Sequence, residues 1–172
     1  MMSPTRLFVS VAEPVVYLKI AGRANFASSV DFKMLVSELR RRGCHRFVLD
    51  LTDCPIMDST FLGVLAGLGL QLAQSAPATS GSGIELLNPH ARIADLLDNL
   101  GIAHLFQIIQ GVPPLNPCAE TTPSAVSREA MTRTSLEAHQ TLMAVQPANI
   151  PKFKDVVQFL AEDLNKLKPG PI

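Results

Sequence analysis

Between Asp50 and Gly63 the chain gathers the side chains best equipped for chemistry: Asp50, Asp53, Asp58, Ser59 and Thr60. Three carboxylates in so short a span suffice on paper to hold a divalent cation, but acids at the end of an apolar run usually serve as caps and turn residues. The hydroxyls suggest something else. Asp-Ser-Thr immediately before the apolar run Phe61–Ala73 places two hydroxyls on the first turn of a helix. There the unbonded backbone N–H groups and the positive end of the helix dipole favour an anion. A phosphoryl group added at that point brings about −1.5 to −2 units of charge and changes the surface without entering the core. Simple helix capping is the ordinary use of the same residues. Asp58 reads as a cap first and a partner contact second.

The elements around this segment must place it on a scaffold. Leu7–Val11 and Val15–Ile20 are β-rich runs parted by Glu13-Pro14, a hairpin signature. Asn25 is positioned to cap a helix reaching about Arg42, with Val30, Met34, Leu35 and Leu39 at helical spacing. The basic end of that helix, Arg40-Arg41-Arg42, complements its dipole, and Gly43 supplies the C-terminal stop. Arg46–Leu51 has the composition of a buried central strand. A second helix starts near Asp58 or Ser59 and ends around Gln74, with Gly63 and Gly67 suited to close packing on the sheet. The small-residue stretch 75–83 follows as a loop. Ile84–Leu87 reads as a strand, Pro89 opens a helix to Leu100, and Leu105–Ile109 is a last short strand. An initial β pair followed by alternating strands and helices predicts an α/β fold. The expected sheet is mixed, of four to five strands, with helices mainly on one face.

Beyond Gly111 the texture changes. Pro113, Pro114, Pro117 and Pro123 mark residues 112–123 as a linker between a domain over 1–111 and a helical extension over 124–172. Ser127–Val145 is weakly amphipathic, and Thr134 with Glu137 has the form of a capping box. Asn149 is placed to cap a final helix carrying Phe153, Val157, Leu160, Leu164 and Leu167 in one stripe. Such a stripe must be covered, by the domain, by a second copy or by a foreign helix.

Composition narrows the function classes. Hydrophobic residues make up 47% and the formal net charge is zero, a globular balance with no basic surplus for nucleic acid. The apolar run Phe61–Ala73 is short of the ~20 residues that cross a bilayer, so no membrane insertion is expected. Cys44, Cys54 and Cys118 form no CxxC pattern and the four histidines are scattered, so no disulfide framework, metal site or cofactor is expected. Glycine-rich phosphate loops, GxSxG and HExxH are all missing, and the reading is non-enzymatic. A reducing, cytoplasmic setting fits the cysteine usage.

Strand-loop-helix with Met57-Asp58-Ser59-Thr60-Phe61-Leu62-Gly63, preceded by Leu18-Lys19-Ile20-Ala21-Gly22, resembles the STAS domain family, over about residues 7 to 109. In the anti-sigma factor antagonists of that family the second hydroxyl of the motif is phosphorylated by an anti-sigma factor kinase. The resemblance therefore implies Thr60 as acceptor, with Ser59 the second choice, and Asp58, Ser59, Phe61, Leu62 and Asn25 as partner contacts. Nucleotide and Mg²⁺ would belong to the kinase. Phe61 stands where a small glycine is common, a ring that either blocks a kinase or anchors a partner. Asn25 replaces a frequent Asp. Within the same family the alternatives are a subunit of a membrane-transport ATPase assembly and a stressosome-like scaffold. Self-association through the last helix is a further expectation.

Overall fold

A computed structural model describes residues 4–75, 83–113 and 119–167. Its sheet has six strands: β1 (Arg6–Ala12), β2 (Val15–Ala21), β3 (Arg46–Asp50), β4 (Gly83–Leu87), β5 (Gln107–Ile109) and β6 (Ala119–Glu120). The spatial order is β5-β4-β3-β2-β1-β6. β1 pairs antiparallel with β2, across a turn whose Glu13–Pro14 peptide is cis. β2, β3, β4 and β5 run parallel. The mixed sheet expected from the sequence is therefore present, with one strand more. The extra strand comes from the Pro-rich segment read as a linker: Ala119 and Glu120 pair antiparallel with Val9 and Phe8. The small-residue stretch at 76–82 and Cys118 lie outside the described residues.

Register explains how the core is made. Val16 aligns with Phe47 and Phe47 with Ile84, while Leu18 aligns with Leu49 and Leu49 with Leu86. Because strand side chains alternate, these rows and Ile20 share one face. That face packs on three helices: α1 (Phe26–Arg41), α2 (Ser59–Ser75) and α3 (Ala91–Asn99). The opposite face carries Lys19, Arg46 and Glu85, with Arg46 bridging to Glu85 at 2.6 Å.

α1 begins where the sequence places it. Asn25 Oδ1 accepts from the backbone N–H groups of Ala27 and Ser28, and Ser28 Oγ accepts from the Asn25 N–H, a reciprocal capping box. It ends at Arg41 with Arg42 as its cap, and Gly43 follows at a φ of +96° that suits glycine. Its buried face is Val30, Phe32, Val36 and Leu39, whereas Met34, expected in the stripe, points to solvent.

The extension forms a helical hairpin of α4 (Arg128–Val145) and α5 (Ile150–Leu167), joined by a 3-10 turn at Pro147–Asn149. α4 lies along α2 and touches α1, making a third layer, and α5 packs on α4. The stripe on α5 thus folds back within the chain: Leu164 is buried, and Phe153, Val157, Leu160 and Leu167 are partly covered. Two expected caps are corrected. Ser127, not Thr134, caps α4, accepting from the Ala130 N–H; Thr134 is buried in mid-helix. Asn149 is buried before α5, its amide donating to the Leu100 and Leu142 carbonyls and so tying the hairpin to the end of α3.

Candidate functional site

The hydroxyl-bearing helix start is held by Asp58. One carboxylate oxygen accepts from the Phe61 N–H at 2.9 Å, the other from the Phe26 N–H at 2.7 Å. A single side chain therefore caps α2 and satisfies an orphan N–H of α1, locking the two helix starts together. Ala24 adds to the junction, donating its N–H to the Ile56 carbonyl and accepting from the Asp58 N–H. Asn25 belongs to the same corner through α1.

The other two carboxylates go elsewhere. Buried Asp50 accepts from the Tyr17 hydroxyl and, through its second oxygen, from the Thr52 N–H and hydroxyl. Asp53 pairs with Lys19 at 2.7 Å. Each acid serves a local structural role, and among the described residues no group of three potential metal ligands gathers.

Phe61 and Leu62 are core residues. Both are buried, and the Phe61 ring stacks in a tilted arrangement on Phe32 with centroids 4.8 Å apart. The sequence puts both at a partner surface; with α4 in place both side chains are buried. On a helix, Phe61 lies about 100° from Thr60, and that rotation turns it to the sheet while Thr60 turns away.

Ser59 and Thr60 meet the extension. Thr60 Oγ1 lies 2.9 Å from Ser135 Oγ, and Thr60 is only 5% exposed. Ser59 Oγ lies 2.8 Å from His139 Nε2. The other ring nitrogen, Nδ1, is 2.7 Å from the Ser135 carbonyl, which can only accept. In the neutral ring Nδ1 therefore carries the proton, and Nε2 accepts from the Ser59 hydroxyl. Phe153 of α5 meets the His139 ring edge-on at 5.1 Å between centroids. One turn along α2, Gly63 lets the two helices touch: a Cβ there would sit 2.4 Å from the Ala138 carbonyl oxygen. The expected packing of Gly63 and Gly67 on the sheet is corrected. Gly63 faces α4, and a Cβ on Gly67 would meet nothing within 4 Å. Lys33 of α1 reaches Glu137 at 2.6 Å on the rim.

Ser135, Ala138 and His139 are not singled out by the sequence. Their only local signal is position: 135 and 139 stack on one helix face, with a small residue beside them. Nothing local says which surface that face meets.

These features define a class: a mixed α/β domain whose second helix opens with capped, adjacent hydroxyls at the end of a buried parallel strand. A model of the STAS domain family matches residues 8–114, more than half of the chain, and the protein belongs to that family. Solved structures agree on the fold. The chain is similar to the anti-sigma factor antagonist SpoIIAA in its unphosphorylated form, with a TM-score of 0.52, 15% identity, and coverage of 60% of this chain and 87% of that one. It is also similar to a Thermotoga maritima protein described as a putative anti-sigma factor antagonist, with a TM-score of 0.50, 21% identity, and coverage of 60% and 85%. Comparison with curated proteins returned no significant match. Among the described residues no helix is long and apolar enough to cross a membrane.

Proposed function

We propose that the protein is a non-enzymatic regulatory switch of the anti-sigma factor antagonist kind, which binds an anti-sigma factor kinase through the surface at the start of α2. The observation that carries this reading is the placement of Ser59 and Thr60 side by side on the first turn of α2, turned from the sheet toward a packed helix. A surface that receives one helix through polar contacts and a glycine seam is suited to protein docking, and the two structural relatives named above are described as antagonists.

In this reading Thr60 is the acceptor. The kinase transfers the γ-phosphoryl group of its bound ATP to Thr60 Oγ1; the O–P bond to ADP breaks, ADP leaves, and the hydroxyl proton passes to a base of the kinase. The product gathers negative charge at the positive end of α2, where it is electrostatically tolerated. Asp58 and Asn25 act by holding the two helix starts in register, and Ser59 supplies the neighbouring contact. A cytoplasmic setting follows from such a partner.

The test is capture from source-cell lysate with wild-type chain and with Thr60→Glu. A small histidine-kinase-like ATPase retained by the wild type and lost by Thr60→Glu is the expected result. Recovery of an ABC-type ATPase instead, or a partner indifferent to the substitution, would overturn it.

A further inference from the structure

We infer that the α4–α5 hairpin is a resident competitor for the Ser59–Thr60 face: while docked it shields Thr60, and negative charge on Thr60 or a partner helix on that face displaces it. The inference rests on the reading of this face as the partner surface, and it adds what occupies that surface when no partner is present.

Four observations converge on it. First, both motif hydroxyls are engaged by the same helix, Thr60 by Ser135 and Ser59 by His139. An enzyme that modifies Thr60 must surround its hydroxyl, which is 5% exposed with α4 in place. Second, Ser135 Oγ stands 2.9 Å from Thr60 Oγ1, the space a phosphorus atom and its oxygens would need. Modified Thr60 and docked α4 are sterically exclusive.

Third, the contact is built for release. Its buried polar members, Thr60, Thr134 and His139, sit beside small Ala138, while Leu142 joins the apolar cluster and Val145 and Phe153 pack partly buried against it. Polar groups on both sides regain water when the helices part, so separation costs less than opening an apolar seam of the same length. Two flanking bonds are exposed, Lys33 to Glu137 and Ser124 to the Asp31 carboxylate, while the Asn149 amide on the Leu100 carbonyl is buried at the turn of the hairpin. Exposed ion pairs are individually weak. Fourth, the hairpin has its own cohesion, because the α5 stripe packs on α4. It can leave as a unit.

The geometry also defines what an incoming partner must present. It is a helix with a small residue against Gly63 and, about one turn away, a side chain able to bond the Ser59 or Thr60 hydroxyl, in imitation of Ala138, Ser135 and His139.

The test is amide hydrogen exchange on the full chain as wild type, Thr60→Glu and Ala138→Leu. Glutamate at a helix start is compatible with the helix itself; a leucine at 138 has no room against Gly63. Exchange over 130–142 is expected to quicken by about tenfold or more in both variants, with β3 and β4 unchanged. Wild-type protection of α4 in Thr60→Glu overturns the inference. Should Ala138→Leu also lose protection in β3, it has unfolded, and Thr60→Glu alone decides between docking and release. Capture of the kinase by Ala138→Leu should exceed that by wild type several-fold; equal capture, despite a released α4, would overturn the competition. If α4 is released and neither form captures a kinase, the hairpin contact stands and the proposed function falls.

Discussion

The sheet with α1–α3 and the α4–α5 hairpin are both helical-faced and both well packed, but they are held by different physics. The first is an apolar cluster in which Phe32, Phe47, Phe61, Leu18 and Leu49 are fully buried. Removing each such side chain from water contributes about 1.5–3 kcal/mol. The hairpin meets that body through Ser135, Ala138 and His139 at α2 and through Leu142 in the apolar cluster, and two of these four are polar. Apolar burial has no competing state in water, whereas a hydroxyl-to-imidazole contact trades against hydration nearly evenly. One chain can thus fix its fold with one kind of contact and reserve the other kind for a surface that opens.

Substitutions can break this contrast, and the largest effect belongs to the apolar body. Phe61→Ala removes a ring stacked on Phe32 and should lower the stability of the whole domain by about 3–5 kcal/mol, read by urea unfolding. A smaller loss confined to the hairpin would mean that the two regions share one core.

Gly63→Ala comes next. The new Cβ would press on the Ala138 carbonyl, so α4 must shift, at a cost of about 1–3 kcal/mol. Limited proteolysis should then cut near 121–127 faster while the sheet retains its melting transition. Uniform loss of both would contradict a separable layer.

Asp58→Ala removes the cap shared by Phe61 and Phe26, with an expected loss of about 1–2 kcal/mol in thermal or urea unfolding. Asp58→Asn, which keeps an acceptor, should recover part of it. If Asp58→Ala is neutral, the residue's role is partner contact and not capping.

The smallest effect is a single thiol. Burial holds the Cys54 thiol up at about 11, above its ordinary 9.0. The folded state thus keeps a proton that the unfolded chain loses, so Cys54 favours folding less as pH rises from 9 toward 11. Alkylation at pH 8 should leave Cys54 unmodified until the protein is unfolded. Ready labelling would show that the apolar body itself opens.

Much of this molecule is legible one residue at a time. Leu18, Phe47, Leu49 and Leu86 announce strands by composition, Asn25 with Ser28 encodes a cap through contacts three residues apart, and Gly43 marks a stop by its backbone freedom. Asp58-Ser59-Thr60 reads as a helix start for the same local reason. Met34 departs from its expected place because helical period gives the face of a helix only when that helix has one buried side. Thr134 departs because a capping-box pattern of residue types also occurs in mid-helix. α1 is shared between the sheet and α4, and α4 between α2 and α5.

The STAS scaffold and the position of its hydroxyl pair are therefore written in the chain itself, since both follow from periodicity, caps and turn residues within a few positions. Tertiary packing alone settles that Phe61 turns inward onto Phe32, that Gly63 is a seam for Ala138, and that Thr60 and Ser59 are covered by Ser135 and His139. Those pairings join side chains up to 80 residues apart. They depend on how α4 lies across α2, and no local pattern in either helix specifies the other.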